Sequence, residues 1–187
     1  MRRQFFTFAN QLSLLRLLLI PFFVVLVLGA RYGWALALLL VAGASDLRDG
    51  MLARWLEQRT PLGAYLDPVA DKLLLSSAFV ALAIQAQVPW TLTILVLSRD
   101  ILIIVVALVI ILGAGFFPMP PSRFGKACTL AQVITVLVVV VAAWRPAGML
   151  LTAKEALLWL TGVLTVLSGV HYAYRIGKIL PELPPKP

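Results

Sequence analysis

The sequence is poor in the side chains that usually crosslink a chain or bind soft metals. It has one cysteine, Cys128, so an internal disulfide is excluded. Its one histidine, His171, lies far along the chain from most of the acidic residues and is predicted to be a packed or interfacial residue. No glycine-rich phosphate-binding motif is present, which excludes an ordinary P-loop kinase or ATPase. Acidic residues are also few, eight against 16 basic ones.

Apolar residues fill most of the chain, with 61% hydrophobic residues and a mean hydropathy of +0.99. The apolar runs are continuous rather than alternating, and each is long enough to cross the ~30 Å core of a bilayer as a helix. Before them, Phe5, Phe6 and Phe8 beside two arginines predict a short interfacial helix. We therefore predict an all-α integral membrane protein, one domain over residues 1–187, with six transmembrane helices. These lie at roughly 12–29, 33–56, 65–87, 90–113, 125–144 and 149–172.

Basic residues are unevenly divided between the two sides of this predicted topology. The side that holds both termini carries most of them, and the opposite side carries Arg31, Arg145 and Lys154. Arg16 and Arg99 lie within spans. This positive-inside pattern predicts that both termini and the active site face the cytoplasm, in what we expect to be a bacterial inner or cell membrane. Anionic lipid head groups are the natural partners of such a rim, so the net charge of +8 does not indicate nucleic-acid binding.

Five of the eight acidic residues fall in one stretch, residues 45–72. On a helix, Asp46 and Asp49 share one face, because residues three and four positions apart are neighbours there. A second helix after the break at "QRTP" places Asp67 and Asp71 on one face in the same way. Two helices joined by a short turn are expected to be antiparallel neighbours. The two aspartate pairs are therefore predicted to point into one cleft.

Four carboxylates gathered partly out of water repel one another, and divalent cations relieve that repulsion. Ligation by oxygen alone, without histidine or cysteine, favours the hard cations Mg²⁺ or Mn²⁺. Two such ions balance four negative charges. We therefore predict a two-metal site whose ligands are Asp46, Asp49, Asp67 and Asp71.

Small and basic residues border the predicted metal site. Gly50, Ala53 and Gly63 lie on the aspartate-bearing faces and leave room for a flat ligand or another backbone. Close helix packing is the alternative explanation for these small residues. Arg54 lies at the border of the acidic face, and Arg123 and Lys126 enter from a loop on the same side of the membrane. Metals and cations together are suited to stabilising charge on a pyrophosphate during phosphoryl transfer.

The acidic stretch also matches a family pattern, D-x-x-D-G-x-x-A-R-x8-G-x3-D-x3-D, at every fixed position. Those positions are Asp46, Asp49, Gly50, Ala53, Arg54, Gly63, Asp67 and Asp71. The chain therefore resembles the CDP-alcohol phosphotransferases of phospholipid synthesis. The resemblance extends along nearly the whole chain, through "NQLSLLRLLLIP" in the first predicted span and "SRFGKACTLAQ" in the fifth.

This resemblance implies a six-helix membrane fold with a polar cavity open to the cytoplasm. It implies that Asp46, Asp49 and Asp67 are the principal metal ligands, while Asp71 touches metal and acts as the general base. It also implies CDP-diacylglycerol as donor, and homodimers are usual among relatives. The residues implied for binding the CDP part of the donor are Gly50, Ala53, Arg54 and Gly63.

Two acceptors compete within this resemblance. "SRD", with Arg99 and Asp100, and "HYAYRIGK" near the end are similar to the CMP-forming cardiolipin synthases, which favours phosphatidylglycerol. Glycerol-3-phosphate is the alternative, but its dianionic head group wants an additional cation, and no basic residue follows Arg99 until Arg123. Arg99, Arg123 and Lys126 are candidate phosphate or acceptor ligands. Arg99 and Asp100 are equally well explained as a paired charge that holds the fourth span in place.

Two hypotheses from other classes remain. A cation or proton transporter would also carry intramembrane carboxylates, but here they cluster on one side, and no inverted repeat is apparent. A catalytically inactive scaffold would retain a full set of costly carboxylates without a use for them. Both are weaker than an enzyme that splits a nucleotide-activated lipid.

Overall fold

The computed structural model describes the backbone of residues 8–55, 61–114 and 123–179, and the side chains of residues 14–43, 70–106 and 124–174. Within these residues the fold is entirely helical, which confirms the predicted all-α class. The predicted interfacial segment at residues 2–8 lies almost wholly outside the described part. The helices are α1 Phe8–Leu28, α2 Tyr32–Trp55, α3 Pro61–Ile84, α4 Trp90–Ala114, α5 Arg123–Trp144 and α6 Gly148–Ile179.

Two of the helices end in the same backbone motif. At the end of α1, the amide of Arg31 donates to the carbonyl of Leu26 at 2.8 Å, while Ala30 adopts a positive φ of 54°. The end of α3 repeats this geometry, with Ala86 at a φ of 53°. These are Schellman motifs, in which a left-handed residue reverses the chain and satisfies the last carbonyls. They set tight turns into α2 and α4 without glycine at the left-handed position.

The helices pack in a closed ring whose order differs from the order along the chain. Going round the ring, the neighbours are α1, α2, α5, α6, α4 and α3, which returns to α1, and α3 also contacts α5 across the ring. Among the described residues, α2 and α3 are therefore linked through α1 and α5. The prediction that α2 and α3 pack directly as antiparallel neighbours depends on side chains of residues 44–69, which lie outside the described part.

The interior of the ring contains apolar side chains such as Phe23, Phe79 and Leu82 together with polar ones, and many other large apolar side chains face outward. Among the buried polar side chains are Thr93, Gln132, Thr135, Thr161, Thr165 and Ser168. Exposed apolar side chains occur along the described lengths of all six helices, and they include Trp34, Val41 and Trp159. Water penalises such a surface, whereas lipid does not, and small or hydroxyl side chains are typical of contacts between membrane helices.

Length and apolar composition identify two helical segments of the described residues as able to cross a membrane. They are Phe124–Trp144 and Gly148–Tyr174. Leu14–Leu28 and Tyr32–Gly43 are shorter apolar helices. Cys128 is fully buried and lies 3.5 Å from the hydroxyl of Thr165, so it packs as expected.

A hydroxyl pair joins α5 to α6 inside the ring. The oxygens of Thr135 and Thr161 are 2.7 Å apart, and both side chains are fully buried. We expect Thr135→Val and Thr161→Val each to lower the free energy of unfolding by about 0.6–1.7 kcal/mol, because each leaves one buried hydroxyl without its partner.

The double variant should cost less than the sum of the two single costs, because it removes both polar groups together. Denaturant titration in detergent micelles measures all three variants. A double variant that costs the full sum would show that the two hydroxyls do not interact.

Candidate functional site

The backbones of α2 and α3 place their aspartates at similar distances from the connection between the two helices. Counted at ~1.5 Å per residue from Trp55, the end of α2, Asp49 lies ~9 Å and Asp46 ~14 Å into the bundle. Counted in the same way from Pro61, the start of α3, Asp67 lies ~9 Å and Asp71 ~15 Å inward. Because five residues separate the end of α2 from the start of α3, all four aspartates lie within about ten residues of this connection along their helices.

Several predicted site residues fall where side chains are not described. Asp71, Arg99 and Lys126 have described side chains. Among described side chains, no group of three or more histidine, cysteine, aspartate or glutamate residues lies close enough together to hold a metal. The predicted site residues whose side chains lie outside the described part are Asp46, Asp49, Gly50, Ala53, Arg54, Gly63, Asp67 and Arg123.

Asp71, the predicted general base, is ion-paired to an arginine from α1. A guanidinium nitrogen, Nη1, of Arg16 donates to the Oδ1 atom of Asp71. The arginine side chain is only 7% exposed, whereas the aspartate side chain is 50% exposed. A buried arginine therefore fixes the position of a carboxylate that faces an open space. A charged side chain within an apolar span requires such a partner.

The next residue of α3 belongs to a second charged group. Lys72 Nζ lies 2.7 Å from Oδ1 of Asp100 on α4, and the same oxygen accepts a 2.6 Å bond from Nη1 of Arg99. The other edge of the Arg99 guanidinium donates to the hydroxyl of Ser168 on α6, at 2.9 Å from Nη2 and 3.3 Å from Nε. One carboxylate oxygen thus connects α3, α4 and α6.

The exposed fractions of these side chains distinguish the buried pair of Arg99 and Asp100 from the partly exposed Lys72. The side chains of Arg99 and Asp100 are 7% and 6% exposed, while that of Lys72 is 30% exposed. Arg99 has its bonds directed to Asp100 and Ser168, which is the arrangement expected of a paired charge holding α4 in place. Counted over the described side chains of these ion pairs, Arg16, Lys72 and Arg99 carry one more charge than Asp71 and Asp100.

Sequence analysis did not assign Arg16, Lys72, Asp100 or Ser168 to the site. The charge of Arg16, Lys72 and Asp100 could have indicated an interior position, because a charged residue inside an apolar span almost always faces a partner in the bundle. The sequence does not show which helices are neighbours. Ser168, a neutral residue in an apolar helix, offers no such signal.

Lys126 lies near the start of α5 with an exposed side chain, where the charge of its ammonium group is accessible. His171 packs beside Phe124, with ring centroids 5.0 Å apart, which confirms that it is a packed residue. Phe124 also belongs to the first turn of α5. The start of α5 is thereby fixed against the last third of α6.

Most of the chain matches a known protein family. Residues 6–167 match the model of the family described as CDP-alcohol phosphatidyltransferase. This range includes α1 to α5, the first part of α6, and every residue that the sequence predicted for the site.

Individual relatives carry two different names. A Mycobacterium tuberculosis protein named "Putative cardiolipin synthase" is 38% identical over 68% of this chain and 61% of its own length. A "Cardiolipin synthase (CMP-forming)" from Streptomyces coelicolor is 39% identical over 66% of this chain and 60% of its own length. A second M. tuberculosis protein, named "Probable phosphatidylglycerophosphate synthase", is 34% identical over 89% of this chain and 80% of its own length. The matches thus span about three fifths of the length of these cardiolipin synthase relatives.

Removing the charge of Asp100 tests the group that joins α3, α4 and α6. We expect Asp100→Asn to lower the free energy of unfolding by about 3 kcal/mol, because it leaves the buried Arg99 without a countercharge. The double variant Arg99→Met with Asp100→Leu should recover much of this loss, since no buried charge is then left unpaired.

Denaturant titration in micelles measures these changes. Glu155→Gln is the matched control, because it removes an exposed carboxylate from α6 outside this group. Its effect should stay within about 0.5 kcal/mol. An Asp100→Asn protein as stable as the control would contradict the assigned role of the carboxylate.

Proposed function

Because the chain belongs to the CDP-alcohol phosphatidyltransferase family, we propose that it transfers a phosphatidyl group from CDP-diacylglycerol to an alcohol and releases CMP. The observation that supports this proposal best is that α2 and α3 place the backbone of Asp49 and Asp67, and of Asp46 and Asp71, at similar distances from the connection between the two helices. Asp71 is half exposed and oriented by Arg16, which supports its role as a general base within reach of an acceptor hydroxyl.

The donor set fits hard divalent cations. It consists of carboxylates, and the one histidine is packed against Phe124 instead. We propose that Asp46, Asp49 and Asp67, with Asp71, would hold two Mg²⁺ or Mn²⁺ ions. When bound, these ions would supply positive charge against the diphosphate and the departing CMP.

In the proposed reaction, Asp71 accepts the proton of the acceptor hydroxyl. The acceptor oxygen then forms a bond to the phosphorus that carries diacylglycerol. The bond from that phosphorus to the bridging diphosphate oxygen breaks, and CMP departs with the electron pair. Arg16 acts as a positioning residue that orients the carboxylate. Positioning of this kind supplies much of the rate acceleration when the leaving group is already good.

The remaining predicted residues would bind the donor. Gly50, Ala53 and Gly63 would leave space for the cytidine, and Arg54 would lie near the diphosphate. Lys126 and Arg123, at the start of α5, would add cations from the same end of the bundle. Lys72 is a further cation next to Asp71, and its 30% exposed side chain supports a role in binding lipid phosphate.

We propose phosphatidylglycerol as the acceptor, which makes the reaction that of a CMP-forming cardiolipin synthase. The engagement of Arg99 by Asp100 and Ser168 supports this choice, because it removes a cation that a dianionic acceptor would need. Glycerol-3-phosphate is the second candidate. It is favoured by the longer match to the relative named phosphatidylglycerophosphate synthase, over 89% of this chain.

The proposed setting is a membrane crossed by all six helices, with both termini and the site on the cytoplasmic side. The apolar outer surface and the buried hydroxyl and charged side chains inside the ring support it. The uneven distribution of basic residues supports the orientation. We extend the proposal to one domain over residues 1–187 and to a homodimer, in which outward-facing apolar helices of two copies would pair.

The acceptor assay tests the function directly. Purified protein with Mg²⁺ or Mn²⁺ and CDP-diacylglycerol should release CMP when phosphatidylglycerol is added and form cardiolipin. Chelation of the metal should abolish the release, and returning the metal should restore it. Product formation from glycerol-3-phosphate alone would select the second candidate. No CMP with either acceptor, together with ion flux in liposomes, would select the transporter hypothesis.

Replacing the proposed base tests the mechanism. Asp71→Asn should lower kcat by about 10²–10⁴-fold, because no group then takes the acceptor proton, while much of the metal binding remains. CMP release and metal titration measure the two effects separately. Asp46→Ala should instead weaken metal and donor binding. An active Asp71→Asn protein would assign the proton transfer to another residue.

A further inference from the structure

The opposite end of the bundle carries an open groove with one polar and one apolar part. The polar part, with a volume of about 560 Å³, is lined by Ala30, Arg31, Tyr32, Gly33, Trp34, Ala37 and Trp144. The apolar part, of about 390 Å³, is lined by Leu19, Leu26, Arg31, Trp34, Ala37, Leu38 and Val41. Because Arg31, Trp34 and Ala37 line both parts, the two form one groove along α1 and α2. Both volumes lie in the usual range of ligand sites, about 300–1,000 Å³.

The polar part of the groove is built across the start of α2 and the end of α5. The indole of Trp144 lies against Gly33, where a Cβ would come within 2.9 Å of Nε1. Trp34, which is 71% exposed, lines the groove together with Arg31. Tryptophan and tyrosine are typical of the level of the lipid head groups, where their rings face apolar chains and their polar atoms face water.

Among the described side chains, Arg31 is the basic residue at this end of the bundle without a hydrogen bond, ion pair or ring contact. Lys154 donates to Gln87 at 3.1 Å, and the guanidinium of Arg145 stacks over the ring of Trp144 at 5.0 Å. The side chain of Arg31 is exposed. No carboxylate of the described residues lines either part of the groove. An uncompensated guanidinium favours a phosphate group, which it can bind through two parallel hydrogen bonds.

We propose that this groove binds one anionic phospholipid. Its phosphate would lie on Arg31 between the two indoles, and one acyl chain would follow the apolar part along Leu26 and Leu38. The proposal rests on the membrane setting given under the proposed function, and not on the reaction. The groove is separate from the catalytic end, because α1 runs ~18 Å from Arg16 to its end at Leu28.

The charges of the lipid head groups predict that the groove prefers an anionic lipid. A choline or ethanolamine head group brings its own cation close to Arg31, whereas a glycerol head group does not. The apolar part adds affinity for the acyl chain without distinguishing the two lipids. Loss of Arg31 should therefore remove the preference between lipids and leave general lipid contact intact.

Tryptophan quenching provides a local test. In the full chain with Trp55, Trp90 and Trp159 replaced by phenylalanine, the two groove tryptophans report the binding of lipids that carry brominated acyl chains. We expect brominated phosphatidylglycerol to quench at about tenfold lower mole fraction than brominated phosphatidylcholine, the ratio set by one charge-assisted contact.

Three variants complete the design. Arg31→Gln should make the two lipids quench equally, and Arg31→Lys should retain part of the preference. Lys154→Gln, which removes a positive charge from the same end outside the groove, should leave the preference unchanged. Equal quenching by both lipids in the parent protein would overturn the proposal. So would an unchanged preference in Arg31→Gln, or protection from every lipid because a second copy covers the groove.

The same preparation separates this proposal from the proposed function. Quenching depends on contact between lipid and the groove around Arg31 and not on turnover. It can therefore be measured whether or not CMP is released. Absence of CMP release with preserved selectivity would overturn the enzyme proposal alone. Normal CMP release without selectivity would overturn the lipid site alone.

Discussion

The carboxylate of Asp100 is the contact on which the arrangement of the site depends. It accepts bonds from Lys72 and Arg99, so it joins α3 to α4, and through the Arg99–Ser168 bonds it joins both to α6. An unpaired charge in an apolar interior is strongly unfavourable, so these helices are held in one mutual register. That register fixes Lys72, and with it the neighbouring Asp71, which a buried arginine of α1 holds from the other side.

The ring order explains why a polar site can exist inside so apolar a chain. With α1 and α5 each contacting both α2 and α3, the two aspartate-bearing helices share neighbours on either side. Large apolar side chains such as Trp159 and Val41 face outward, and hydroxyl side chains such as Thr135 and Thr161 pair inside. Polarity is therefore concentrated where backbone and side chains can be satisfied within the protein, which is the condition that lipid imposes.

The sequence was sufficient to predict the helices. It was insufficient to predict which helices pack against one another. Apolar run length and turn residues predicted the all-α class, and the helix that begins at Pro61 matches the break predicted there. Spacing of three and four residues predicted the aspartate faces. The pairing of Arg99 with Asp100 was among the sequence-based explanations. The contacts of Asp71 with Arg16 and of Arg99 with Ser168 were not predictable, because they depend on which helices are neighbours in the ring. Arg99 was a candidate for acceptor binding, and its bonds support the alternative of a paired charge.

The two ends of the bundle differ in the charged groups that would meet a lipid phosphate. Donor, acceptor and product of the proposed reaction all carry lipid phosphates, and so does the bulk membrane. A cation alone, such as Arg31, can retain a phosphate but cannot accept a proton. At the other end, the carboxylate of Asp71 accompanies the cations of Lys72 and Arg16. In the two proposals, what distinguishes the lipid-binding groove from the reaction site is therefore the presence of carboxylates, and in the sequences of α2 and α3 they occur at only one end.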